Sequence, residues 1–231
     1  MSVLSRRIPL VALLCGIGAS SLSAQSLHRK DDFQWSVGGQ AGVLIYKTPT
    51  QSRGGNLMVG AHTLIKARRT GLLLAVDEMI GDNQTSSFSS GSAPGGTESV
   101  TFNDIRRYSA TLVAFPVRSA MQPYIGVGVG LMHVVNPQPV TNTSAEQQEV
   151  TSDIGSSGFG TLIAGLQLNV GGLMAFGQYQ ITTGARTHSV TTGTGTTAIT
   201  SSGHLIEGMT HSFVGGLRIT LGSSREPISG Y

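Results

Sequence analysis

Side chains along most of this chain alternate between apolar and small or polar, in segments of ten residues or more, and that alternation limits the fold more than any other feature. Eight such segments are present: Phe33 to Tyr46, Asn56 to Ala67, Gly71 to Ile80, Val100 to Phe115, Gln122 to Val135, Gly158 to Val170, Leu173 to Thr183 and His204 to Leu221. A period of two is the signature of an extended strand with two unlike faces, whereas a helix would repeat every 3.6 residues. No stretch of comparable length carries a helical period, so the expected class is all-β.

The two faces can be separated residue by residue. In the sixth segment Leu162, Ala164, Leu166, Leu168 and Val170 share one face, and Thr161, Gly165, Gln167 and Asn169 the other. The fifth sets Ile125, Val127, Val129 and Leu131 against Gly126, Gly128 and Gly130. In the eighth, Phe213, Leu217, Ile219 and Leu221 oppose Ser212, Gly216, Arg218 and Thr220, and in the first Val37, Ala41, Val43 and Ile45 oppose Ser36, Gly38, Gln40 and Gly42. The third contains Leu72-Leu73-Leu74-Ala75-Val76, apolar on both faces, which leaves its register open.

The connections alternate as well. Arg68–Thr70, Val117–Met121 and Gly171–Gly172 are tight, while 47–55, 81–99, 136–157 and 184–203 are long and rich in Ser, Thr, Gly and Asn, as loops on one side would be. Eight antiparallel strands with short turns at one end and long loops at the other describe an up-and-down transmembrane β-barrel, apolar outside and polar inside.

The beginning of the chain sets the compartment. Arg6 and Arg7 precede an apolar run from Ile8 to Gly18 and small residues to Ala24, the pattern of a cleaved secretory signal peptide over residues 1–24. That run is too short to span a bilayer as a helix. The single cysteine, Cys15, lies within it behind Leu14 where a lipoprotein signal would want a small residue, so no lipid anchor is expected and residues 25–231 are left without disulfides or thiolate ligands. Removing Arg6 and Arg7 from the 15 basic residues leaves 13 against 12 acidic, so no nucleic-acid partner is implied. Charged residues are only 12% of the chain, about half the usual soluble share, which suits a surface that does not face water alone.

The signal, the eight segments, the loop pattern and the last strand Gly215-Gly216-Leu217-Arg218-Ile219-Thr220-Leu221 resemble the small bacterial outer-membrane β-barrel proteins of the OmpA/OmpX type. The resemblance covers residues 25–222 and implies residence in the outer membrane, with both termini in the periplasm. It implies outer-membrane lipid and the barrel-assembly machinery as partners, with Gly216, Ile219 and Leu221 matching the spacing of the family's assembly signal. A monomer is the expectation. The family strand usually ends its protein on an aromatic residue, whereas here a polar tail runs on to Tyr231. Aromatic residues are only 6%, and Trp35, Tyr46, Tyr108, Phe115, Tyr124, Phe176, Tyr179 and Phe213 are the members available for interfacial girdles.

If these faces hold, His62, Lys66, Asp77, Arg107, Gln178, Gln180 and Arg218 point inward and form a polar network in a bore that side chains about fill. Gly126-Val127-Gly128-Val129-Gly130 lacks the strand-to-helix turn of a dinucleotide site. The six histidines show no metal spacing, so neither cofactor nor metal is expected. Ser, Thr and His in the loops, and Asp82, Glu98, Glu146, Glu149 and Asp153, carry no specific catalytic or cation-binding pattern. The leading expectation is a non-enzymatic outer-membrane barrel with a structural or surface-interaction role. Three alternatives stand beside it: a narrow pore for small solutes, prompted by the inward glycines, a membrane-embedded enzyme acting on lipid or surface peptides, and a soluble lipocalin-like barrel with an apolar cavity.

Overall fold

The computed structural model describes residues 33–48, 52–89, 97–117, 119–135, 138–139, 156–183, 188–192, 199–203, 206 and 208–224. The signal segment 1–24 and residues 225–231 of the polar tail lie outside them. The strands are β1 (Phe33–Tyr46), β2 (Gly54–Ala67), β3 (Thr70–Ser89), β4 (Thr97–Ala114), β5 (Met121–Val135), β6 (Gln138–Pro139), β7 (Ser156–Val170), β8 (Leu173–Thr182), β9 (His188–Thr192), β10 (Ile199–Gly203) and β11 (Thr210–Ser224).

The eight long strands, β1 to β5, β7, β8 and β11, form a ring in which every pairing is antiparallel. It closes through β1 and β11, from Phe33↔Ser224 to Ile45↔His211. Closure removes the unpaired strand edges that neither hydrocarbon nor a crowded surface tolerates. Stepping at right angles to the strands from Leu166 leads through Gly177, Gly215, Ala41, Val59, Glu78, Arg106 and His133. The path returns to β7 at Ser156, ten residues from its start. With about 3.3 Å per residue and about 4.8 Å between strands, that stagger tilts the strands by about 40°. Each second residue therefore climbs about 5 Å along the barrel axis.

At the turn end, β2 passes to β3 through Arg68 and Arg69, and β7 to β8 through Gly171 and Gly172. Arg68 (φ 53°) and Gly171 (φ 64°) both adopt the left-handed conformation that starts such hairpins, at no steric cost only for the glycine. At the loop end, a bulge after Ile80 carries β3 and β4 beyond the ring. Their outer edges there take up β6, at Val100↔Pro139, and β10, at Gly203↔Phe88. Segments 81–99 and 184–203, read from sequence as loops, thus contain paired strand, because Ser/Thr-rich stretches lose their apolar alternation once no core faces them. The eighth segment begins later than expected, at Thr210 instead of His204, and β11 runs on to Ser224.

The open register of β3 is settled: Leu73, Ala75, Asp77 and Met79 are buried inward, and Leu74, Val76 and Ile80 are exposed. The bore is less polar than the alternation implied. Leu64, Leu73, Val113, Phe115, Tyr124 and Ile163 form an apolar layer toward the turn end. A second, larger cluster gathers Leu44, Tyr46, Met58, Met79, Ile105, Met132, Val134, Phe159, Phe176, Val214 and Ile206, reaching from the loop end down to Phe176 near the start of β8.

Candidate functional site

The seven polar residues expected inside do face the bore, but they divide into separate clusters. Asp77 and Arg107 are cross-strand partners on β3 and β4. Gln40 Nε2 donates to Asp77 Oδ1, while Arg107 Nη2 donates to Thr182 Oγ1 at 3.4 Å and Nη1 meets Met58 Sδ at 3.7 Å. Arg107 and Arg218 are each 1% exposed. Arg218 Nε donates to His62 Nε2 at 2.8 Å and Nη1 to Gln167 Oε1 at 2.9 Å. Its guanidinium also lies 3.9 Å from the centre of the Phe176 ring. The remaining members pair locally, Tyr124 Oη donating to Gln178 Oε1 and Gln180 Nε2 to Thr161 Oγ1, each at 2.8 Å. Lys66 Nζ, nearer the turn end, donates to Gln122 Oε1 at 2.6 Å and sits 4.2 Å from the Phe115 ring centre.

These clusters solve one electrostatic problem in two ways. A charge removed from water needs compensation. Arg107 has a carboxylate neighbour in Asp77. Arg218 meets no carboxylate among the described residues, and a ring face, an imidazole lone pair and an amide oxygen serve instead. Accepting at Nε2 requires a neutral His62 with its proton on Nδ1.

The inward glycines hold space for these side chains. A Cβ at Gly130 would lie 2.6 Å from Phe159 Cε2, one at Gly165 2.6 Å from Tyr124 Oη, and one at Gly216 2.8 Å from Phe176 Cζ. Rings from neighbouring strands fill the room that these three glycines leave.

The outer wall has the opposite character. Ile125, Val127, Val129 and Leu131 are each about 60% exposed, and Leu112, Leu162, Leu217, Ile219 and Leu221 face outward with them. A shallow groove lined by Ala164, Leu166, Gly177, Tyr179, Phe213 and Gly215 interrupts this wall. Toward the loop end the wall turns polar. Arg106 Nη2 contacts Glu78 Oε2 at 3.0 Å, His133 Nδ1 lies 2.8 Å from Ser156 Oγ, and Tyr179 Oη lies 2.7 Å from His211 Nδ1. Corrected for the tilt, Glu78, Arg106 and His211 stand at one level, about 25 Å above the level of Leu221 and Met121 at the turn end. An apolar belt of that height, on a closed barrel with a packed interior, fits the hydrocarbon core of a bilayer and no aqueous surface.

The chain is a membrane barrel. Its closed ring, tilt and unequal ends are those of the small outer-membrane barrels. Two solved structures are similar to it. One is the crystal structure of Neisserial surface protein A (NspA), 11% identical, covering 80% of this chain and 96% of that one with a TM-score of 0.47. The other is the outer membrane protein OprG from Pseudomonas aeruginosa, 13% identical, covering 84% and 99% with a TM-score of 0.46. No family model and no curated protein matches the chain.

Of the aromatic residues considered for girdles, Trp35, Tyr108, Tyr179 and Phe213 face out, whereas Tyr46, Phe115, Tyr124 and Phe176 are buried in the bore. The correction follows from parity, since each buried ring stands an even number of residues from an inward polar position of its own strand. Parity would also have found Met58, Met79 and Met132. Ile206, at the inward parity of the eighth segment, is 1% exposed although it lies in the connection before β11.

The His133–Ser156 contact joins the residue types of a base and a nucleophile. Among the described residues no carboxylate meets the other ring nitrogen of His133, so the orienting member of a triad is not supplied there. No group of three potential metal ligands gathers among the described residues.

Proposed function

We propose that this chain is an integral outer-membrane barrel that neither conducts solutes nor catalyses a reaction, and that holds its long loops outside the cell for contact with the surroundings. The supporting observation is the bore, which two apolar clusters cross and in which the buried Arg107 and Arg218 are each hydrogen-bonded to other side chains. A pore would need a continuous wet path through both layers. An enzyme would need an assembled nucleophile, base and orienting group, and the His133–Ser156 pair supplies only two of these.

In the same reading the short turns and both termini of the chain face the periplasm. Gly216, with a bore-facing position, and the outward Ile219 and Leu221 present the last strand to the assembly machinery. Planar-bilayer recording of refolded protein tests the reading. We expect no discrete conductance steps from the wild-type chain. Steps that change in size with Arg107→Ala or Arg218→Ala would overturn it in favour of a channel.

A further inference from the structure

Among the described residues, the exposed charge at the turn end of the barrel sits on one hairpin. Arg68 and Arg69 link β2 to β3 and both are exposed, while Lys66 beside them turns inward to Gln122 and the Phe115 ring. No carboxylate stands at this end among the described residues, whereas the loop-side edge of the wall mixes Glu78 and Asp104 with Arg106. Arg68 is also the one non-glycine residue with a positive φ among the described residues, 53°. The matching hairpin between β7 and β8 puts Gly171 in that conformation, where a side chain would add strain. An arginine standing where glycine would turn the chain without strain points to a role for its side chain beyond the turn itself.

Depth says what that role meets. Counted along the tilted strands, Arg68 lies within about 4 Å of the level of Leu221 and Met121, the turn-side edge of the apolar belt. That is the depth of lipid headgroups and not of open water. Above the hairpin, Trp35, Ile65, Leu72 and Leu112 form one cross-strand row on the outer wall. Two guanidinium groups beneath an apolar row complement an amphiphile with a negative head. We propose that Arg68 and Arg69 hold the phosphate of an anionic lipid in the turn-side leaflet, with its acyl chains running up over that row. A guanidinium engages two phosphate oxygens at once through parallel N–H donors. The hairpin gives both stems a fixed backbone, since Phe115 N donates to Arg69 O at 2.7 Å and Thr70 Oγ1 to Ala67 O at 3.2 Å. The lipid site stands whether or not the bore conducts.

Trp35, the single tryptophan of the chain, pairs with Ile65 and so reports on the lipid beside the hairpin. The full chain is refolded into phosphatidylcholine vesicles that carry, at the same low mole fraction, either brominated phosphatidylglycerol or brominated phosphatidylcholine, and quenching of Trp35 is compared. Phosphatidylglycerol is expected to quench more strongly by about twofold or more, because arginines at a headgroup layer concentrate anionic lipid around them. Arg68→Gly with Arg69→Gln, which frees the turn of its strain and keeps it polar, is expected to abolish the difference, and Arg106→Gln on the loop side to leave it intact. Equal quenching by the two lipids in wild type would overturn the proposal. So would a preference that survives Arg68→Gly with Arg69→Gln, or one that Arg106→Gln also removes. A preference erased by inorganic phosphate at constant ionic strength would assign the arginines to a free anion and overturn the lipid site as well.

Discussion

The level of the membrane on this barrel can be tested by placing one arginine at successive heights along β5. Strand tilt separates height from position in the sequence. Met121 stands at the turn-side edge of the apolar belt, and each outward residue after it climbs about 5 Å, so Ile125 lies about 10 Å up and Leu131 about 25 Å up. The belt is about 25 Å tall, which puts Ile125 and Val127 on either side of its middle and Leu131 at its loop-side edge, near Arg106 and His133. On β11 the same count from Leu221 places Leu217 near the middle.

An arginine on the lipid face costs about 2–4 kcal/mol at the midplane and about 0–1 near either interface. Ile125→Arg and Leu217→Arg are therefore expected to lose about 2–4 kcal/mol, and Leu131→Arg and Leu221→Arg no more than about 1. Val129→Arg, in the middle of its strand but near the upper edge of the belt, should fall between. Urea titration of refolding into vesicles, followed through the single tryptophan, Trp35, gives each value. A maximum at Val129 instead of Ile125 would refute both the tilt and the membrane level. Equal costs along the whole strand would refute the lipid-facing wall itself.

Two further outcomes follow from the bore. Asp77→Asn should destabilise by about 1–3 kcal/mol, because it removes the carboxylate that accepts from Gln40 and stands opposite Arg107 across β3 and β4, and adding Arg107→Met should recover part of the loss in a double-mutant cycle. Additive losses in the same urea titration would show that the two groups are not coupled. Gly130→Ala, which drives a methyl against the Phe159 ring, should cost about 1–3 kcal/mol, whereas Gly177→Ala, whose Cβ meets nothing within 4 Å on the outer wall, should be within about 0.5 of wild type.

The ring was legible in the sequence because its two faces meet different solvents. Wherever hydrocarbon lies on one side and packed side chains on the other, as at Ile125–Leu131 and Leu162–Val170, parity records the fold, and it places Asp77, Arg107 and Arg218 inside without any knowledge of their partners. Parity does not say what an inward residue touches. Arg107 engages Thr182, 75 positions away in the chain, and Arg218 engages His62, 156 positions away, because closure and a stagger of ten residues bring those strands level. The seven residues therefore divide among separate clusters along the bore instead of forming one network. Composition misled in the other direction. A polar bore was expected of a membrane barrel, yet a ring of eight strands is narrow enough for methionines, leucines and aromatic rings to fill it, with the inward glycines making room. The β3–β4 projection lay beyond sequence reading because past Gly81 the sequence turns rich in Ser, Thr and Gly and its apolar alternation stops, so no period announces the strand pairing there.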